Sequence, residues 1–172
     1  ALPAIREAVD LYRSLARARP DPFHAELAGA LEQMSVVLGH VGQHEAALVS
    51  AMEAMDAYRG LAKAHPETYL PRFAMTLNGL SARLRDLGRH TEALPLAQNA
   101  LEWLWPYYER FPDVHRKQIS TMFSVLVGLH EDLGSRLDAK WAPRFEQVAA
   151  QVTGEAKGAP AKKAAKGGRK KK

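Results

Sequence analysis

The chain repeats itself every 46 residues, and a fixed period of this size leaves few folds open. Gly42, Gly88 and Gly134 stand 46 positions apart, as do Pro20, Pro66 and Pro112. Ala1, Ala47, Ala93 and Ala139 share a register, as do Ala8, Ala54 and Ala100, and Leu2, Leu48 and Leu94. Such a period marks a solenoid, in which each unit buries its apolar face against its neighbours rather than in a central core. A stack of this kind offers a long surface and rarely an enclosed catalytic pocket. Binding is therefore expected before chemistry.

Within each period the apolar residues recur at intervals of three and four, which is helical spacing. Leu2, Ile5, Val9, Tyr12 and Leu15 mark a first helix over about 1–18. Phe23, Leu27, Leu31, Met34, Leu38 and Val41 mark a second over 22–41, and Leu48, Met52, Met55, Tyr58 and Leu61 a third over 44–64. The pattern returns over 68–87, 91–110 and 114–133, and a last helix is expected over 136–152. Gly42, Gly88 and Gly134 fit left-handed helix caps. The prolines at 20, 66 and 112 read as helix ends. Pro106 stands late in its helix and is expected to end or bend it, and Pro143 to kink or restart the last one. No stretch alternates with the period of two that a strand needs. Connections of two to four residues make consecutive helices antiparallel.

The run Leu87-Gly88-Arg89-His90-Thr91-Glu92-Ala93-Leu94 resembles the turn between the two helices of a tetratricopeptide repeat. Val41-Gly42-Gln43-His44-Glu45-Ala46-Ala47-Leu48 is its sibling, and Leu133-Gly134-Ser135-Arg136-Leu137-Asp138-Ala139 a weaker copy. Ala47, Ala51 and Ala54, then Ala93, Ala97 and Ala100, match the small positions of that family's second helix. Leu31, Met34, Ser35 and Leu38, then Leu77, Leu80, Ser81 and Leu84, match the packing pattern of the first. The usual unit is about 34 residues, so this one resembles the long variety found beside signalling domains in bacteria. The resemblance implies an all-α, right-handed superhelical solenoid of antiparallel hairpins over 1–152. It implies a protein-interaction scaffold or sensor segment, the C-terminal part of a larger bacterial signalling protein. In that family the inner groove is lined by first-helix residues that point away from the packing columns. By register these are Glu32, Val36, Gly39 and His40, then Met75, Asn78, Ala82, Arg85 and Asp86, then Thr121, Ser124, Gly128, Glu131 and Asp132. Each is equally readable as an ordinary solvated helix face. The family's Lys/Asn/Arg clamp for a peptide carboxylate is not expected, because Gln33, Gly79 and Val125 stand where its Asn would be sought.

No constellation of residues points to catalysis, so no enzyme activity, cofactor or metal is expected. His40 and His44 are four apart, but Gly42 breaks the helix between them and no third ligand is near. Glu92, Glu131 and Asp132 lack an opposed carboxylate in the pattern. Ser35 and Ser81 fall in a packing column. Trp103, Trp105, Tyr107 and Tyr108 form an aromatic cluster that would either anchor a partner or, as favoured here, seal the stack against Trp141. With no cysteine there is no disulfide framework, which fits a cytoplasmic setting. No apolar run reaches the length of a membrane span, so no membrane partner is expected. An opening that starts inside a repeat column would leave an apolar edge, through which self-association is possible.

The net charge of +5 is unevenly placed. Residues 154–172 hold eight basic residues against Glu155 alone, so the remaining chain is slightly acidic. Residues 153–172 are rich in Ala, Gly, Pro and Lys, a composition that cannot bury enough surface to fold and is expected to be disordered. Lys162, Lys163, Lys166, Arg169, Lys170, Lys171 and Lys172 would give salt-sensitive, non-specific attraction to nucleic acid or another polyanion. The same tail would equally serve as a solubiliser.

Overall fold

The computed structural model describes residues 2–153. The predicted basic tail, including its seven candidate polyanion-binding residues, lies outside the described residues. Within them the chain is an all-α solenoid of seven helices, with no strand: α1 Leu2–Ala18, α2 Pro20–His40, α3 His44–Ala64, α4 Pro66–Asp86, α5 His90–Arg110, α6 Pro112–Asp132 and α7 Ala142–Thr153. The five internal helices all have 21 residues, which at 1.5 Å per residue makes each about 30 Å long.

Two kinds of break alternate. The first is a single residue, Arg19, His65 or Phe111, with φ near −140° and ψ between 69° and 91°. Each precedes a proline, whose Cδ pushes its predecessor out of the helical region. The proline then starts the next helix at a position where its missing N–H costs nothing. The helices α2, α4 and α6 thus begin two residues earlier than the apolar pattern suggests. These prolines open the next helix as well as ending the last, and the linkers at them are shorter than expected.

The second break is a glycine cap. Gly42, Gly88 and Gly134 have φ of 77°, 72° and 60°. The N–H one residue past each glycine bonds back five residues: Gln43 to Leu38 O (2.9 Å), Arg89 to Leu84 O (2.9 Å) and Ser135 to His130 O (2.8 Å). The glycine N–H bonds to Gly39, Arg85 and Glu131 O in turn. This pair of bonds satisfies carbonyls that a helix end would otherwise leave open.

From α1 to α6 consecutive helices pack along their length, and with linkers of one or three residues each reverses the direction of the last. Close approach is made by small side chains. Ala47, Ala51 and Ala54 of α3 and Ala93, Ala97 and Ala100 of α5 are all buried. Buried Ser81 donates to Ala93 O at 2.9 Å, tying α4 to the first turn of α5. Among alternate helices, the backbones of α2 and α4 and of α4 and α6 come close, whereas those of α1 and α3 and of α3 and α5 stay apart. The layer α2–α4–α6 is therefore the tighter one, and the stack curves with that layer inside.

The far end is sealed by aromatics. Trp105, Tyr108, Phe123 and Trp141 are buried, with Phe145 packed on them. Phe123 meets Trp105, Trp141 and Phe145 at 6.4, 6.2 and 5.6 Å, all edge-on. Arg144 lies over both Trp105 (4.7 Å) and Trp141 (5.1 Å). Trp103 does not join them and faces outward.

Two expectations need correction. α5 runs through Pro106 without a break. Pro106 and Glu102, whose carbonyl loses its donor, both stand on the exposed face, where water can meet that carbonyl. The last helix begins at Ala142, not near 136. Asp138 Oδ1 accepts from the N–H groups of Lys140 (2.9 Å) and Trp141 (3.0 Å), holding a turn, and Pro143 lies in the first turn that follows.

A Cβ added at Gly88 would meet nothing within 4 Å, so its cost is backbone strain alone. Gly88→Ala should destabilise by about 1–2 kcal/mol, and Gly88→Asn by less, because Asn tolerates the left-handed region better. Urea unfolding of the two variants measures the difference.

Candidate functional site

The inner face holds a cavity of about 540 Å³ between α2 and α4. Ala51 and Ala54 of α3 form its floor, Val36 and Met75 its apolar walls, and Gln118 of α6 closes one side. A volume in this range suits a ligand or a few peptide side chains. Small residues at 51 and 54 leave the room, and the inward curve brings the helices around it.

Its polar groups form a partly satisfied set. Glu32, Thr76, Asn78, Arg72 and Arg83 line it. Thr76 Oγ1 lies 3.2 Å from Glu32 Oε1, which accepts its hydrogen, and Arg72 Nη1 lies 3.9 Å from Glu32 Oε2. Burial pushes the Glu32 carboxyl above its ordinary range, against the lowering effects of Thr76 and Arg72. Asn78 is only 5% exposed, its Oδ1 is buried without a partner, and its side-chain amide makes no hydrogen bond among the described residues. A buried side-chain carbonyl left without a donor costs about 1–3 kcal/mol.

Farther along the same face, arginines from α4 lie on bare glycine backbone of both neighbours. The Arg83 guanidinium fills the space a Cβ at Gly39 of α2 would need, and Arg85 does the same at Gly128 of α6. Arg83 pairs with Asp86 (3.3 Å), which faces His44 Nδ1 at 4.0 Å. Arg85 Nε donates to Asp132 Oδ2 at 2.5 Å, and His90 Nδ1 lies 3.4 Å from the same oxygen. His44 and His90 are one period apart, as are Asp86 and Asp132, so the bracket repeats with the fold. The Arg85 hydrogen bond, then the charges of Arg85 and His90, hold the Asp132 carboxyl below its ordinary value.

The predicted inner-face residues separate into three groups. Glu32, Val36, Met75 and Asn78 share the cavity. Arg85, Ser124 and Glu131 share a smaller one of about 340 Å³ with Gly128, Val127 and Phe145. Asp86 and Asp132 sit in the brackets. His40 is exposed at the end of α2 and Ala82 half-buried on α4, and neither lines either cavity. Ser124 turns its hydroxyl to Ser120 O of its own helix (3.0 Å). Arg72, Thr76 and Arg83 lie outside the register reading. The one signal for Arg83 was a glycine inside α2 at an inner-face position, the mark of close approach. Among the described residues no three His, Asp or Glu side chains gather as a metal would require, and no helix is long and apolar enough to cross a membrane. Comparison with known proteins finds no family model and no curated protein that matches the chain.

The bracket predicts a titration. Asp132 should titrate below the ordinary aspartate range, and Arg85→Ala should move it up toward that range, followed by NMR of the carboxyl carbon. A depressed carboxylate supports folding above its unfolded value and loses that support as pH falls through the folded one. An Asp132 titration that ignores Arg85→Ala would rule out the pairing.

Proposed function

We propose that the inner face of this tetratricopeptide-like stack binds an extended peptide segment of a protein partner, serving as the recognition part of a larger signalling protein. The observation that carries this reading is the unpaired amide of Asn78 beside Glu32 in the α2–α4 cavity. A peptide group brings one donor and one acceptor, which is what a side-chain amide lacks when it has no partner. The Glu32 carboxylate would accept a further N–H or a cationic side chain, and Val36 and Met75 would cover an apolar one.

Burial without full pairing makes both groups unfavourable for folding and useful for binding. The Glu32 carboxyl is raised, so its ionisation opposes folding once pH passes the unfolded value and does so fully above the folded one. Glu32→Gln should raise the melting temperature at pH 7, with the gain shrinking at pH 4. Selection of a displayed peptide library on the whole chain should enrich a family of ligands. Their binding should persist at high salt, survive removal of residues 154–172, and weaken about tenfold in Asn78→Ala, the worth of one or two hydrogen bonds. Ligands indifferent to Asn78→Ala, or no enrichment at all, would count against the inner face.

The segregated charge of residues 154–172 favours a second reading, association with nucleic acid through the tail. Retention on DNA that disappears with the tail and falls steeply with salt, alongside a failed peptide selection, would support it instead.

A further inference from the structure

On the other side of α4, away from the peptide cavity, lies a second cavity of about 580 Å³ between α3, α4 and α5. Leu70, Phe73 and Leu77 of α4 face Leu96 and Trp103 of α5 across it. Trp103 is 47% exposed and meets Phe73 edge-on at 6.5 Å. The charged residues of its lining are both cations, Arg59 and Lys63, one turn apart on α3. Among the described residues Arg59 has only Asp56 of its own helix as an ion partner, at 3.3 Å between two exposed side chains. Lys63 is exposed and in no ion pair among the described residues.

The repeat supplies an internal comparison. The positions that border this cavity recur one period to either side, and there their side chains meet one another. One period earlier, Arg59 and Asn99 correspond to Arg13 and Glu53, which bridge the gap as an ion pair at 2.7 Å, and Trp103 corresponds to Ala57. One period later, Arg59, Leu77 and Asn99 correspond to Trp105, Phe123 and Phe145, which fill the gap as an aromatic stack. In the middle unit the acid that would hold Arg59 is Asn99, and the bulky rings that would fill the space are absent. What remains is an apolar slot with cations at its rim and no acid in its lining.

From this we infer that the α3–α4–α5 slot binds a small amphiphilic carboxylate, an aliphatic chain or aromatic ring ending in one anionic group. The apolar body lies against Leu70, Phe73, Leu77 and Trp103. The carboxylate takes the place that Glu53 has in the preceding unit, facing Arg59, with Lys63 beside it and the Asn99 amide as a further donor. The site shares no residue with the inner cavity and does not depend on the peptide reading.

Octanoate is the probe, with octanamide as its uncharged match, titrated calorimetrically into the whole chain. One site is expected, with Kd on the order of 0.1–1 mM for a ligand of roughly ten heavy atoms. Trp103 emission should change, since Trp105 and Trp141 are buried. Octanamide should bind at least tenfold more weakly. Asn99→Glu should rebuild the bridge of the first unit to Arg59 and abolish octanoate binding without lowering the melting temperature. Should that variant fold poorly, Trp103→Ala must still weaken octanoate at least tenfold. No octanoate binding to the unmodified chain, equal binding of octanamide, or undiminished binding in a folded Asn99→Glu would each overturn the assignment.

Discussion

The structure depends on how closely the backbones of α3 and α5 approach their neighbours, and that distance is set by methyl groups. Ala47, Ala51, Ala54, Ala93, Ala97 and Ala100 are buried to within a few per cent of completely. A larger side chain in those columns would open the hairpin, and overpacking of this sort costs about 1–3 kcal/mol at a single site. Large residues opposite, such as Leu31, Leu77 and Leu84, fill what the alanines leave. Because each hairpin presents the same small face, the stack steps evenly, and the inner layer can tighten until α2, α4 and α6 touch. The inner cavity follows from the same choice, since its floor is Ala51 and Ala54. Where the column fails the step fails: Ala139 is exposed, and a turn held by Asp138 replaces a fourth long helix.

What could be read from the sequence was whatever the period enforces. The glycine caps, the alanine columns and the alternation of long helices are local or nearest-neighbour features, so repetition exposes them. The prolines misled by two residues because a proline both ends the helix before it and starts the one after. Only the conformation of Arg19, His65 and Phe111 shows which side the break falls on. Pro106 misled because the cost of a helical proline depends on whether the freed carbonyl is wet, and Pro106 and Glu102 both stand on the exposed face. Within the site, register put Glu32, Asn78 and His40 on one face; the first two line the inner cavity, and His40 is exposed at the end of α2. It could not pair Arg83 with Gly39 or Arg85 with Gly128. Those contacts join different columns of different units, and no spacing rule within one helix reports them.

Departures from the repeat carry the individuality of the chain. Arg83 and Arg85 come from one helix yet brace the two on either side of it, so the middle unit is gripped from both directions. The His44–Asp86 and His90–Asp132 approaches recur with the period, but in the second Arg85 of α4 donates directly to the acid on α6. Among the described residues the aromatic seal around Phe123 occurs once, where α5, α6 and α7 meet.

In a solenoid, stability is close to a sum of unit and interface contributions, so a weakness in one unit must be offset by its immediate neighbours. The middle of this stack holds the Asn78 Oδ1 without a partner and a Glu32 carboxyl that burial pushes up. Immediately beyond it stand a well-bonded cap at Gly88, the Ser81 tie between α4 and α5, and the buried aromatic end. The core on the other side, around Val9, Leu31 and Ala54, is smaller. Local opening should therefore begin in α1 and α2 and stop at α4. The inner cavity lies on the boundary between the two, with one wall on the looser hairpin and one on the firmer. A ligand that pairs Asn78 would bind both walls at once and so draw its specificity from the firm side and its adaptability from the other.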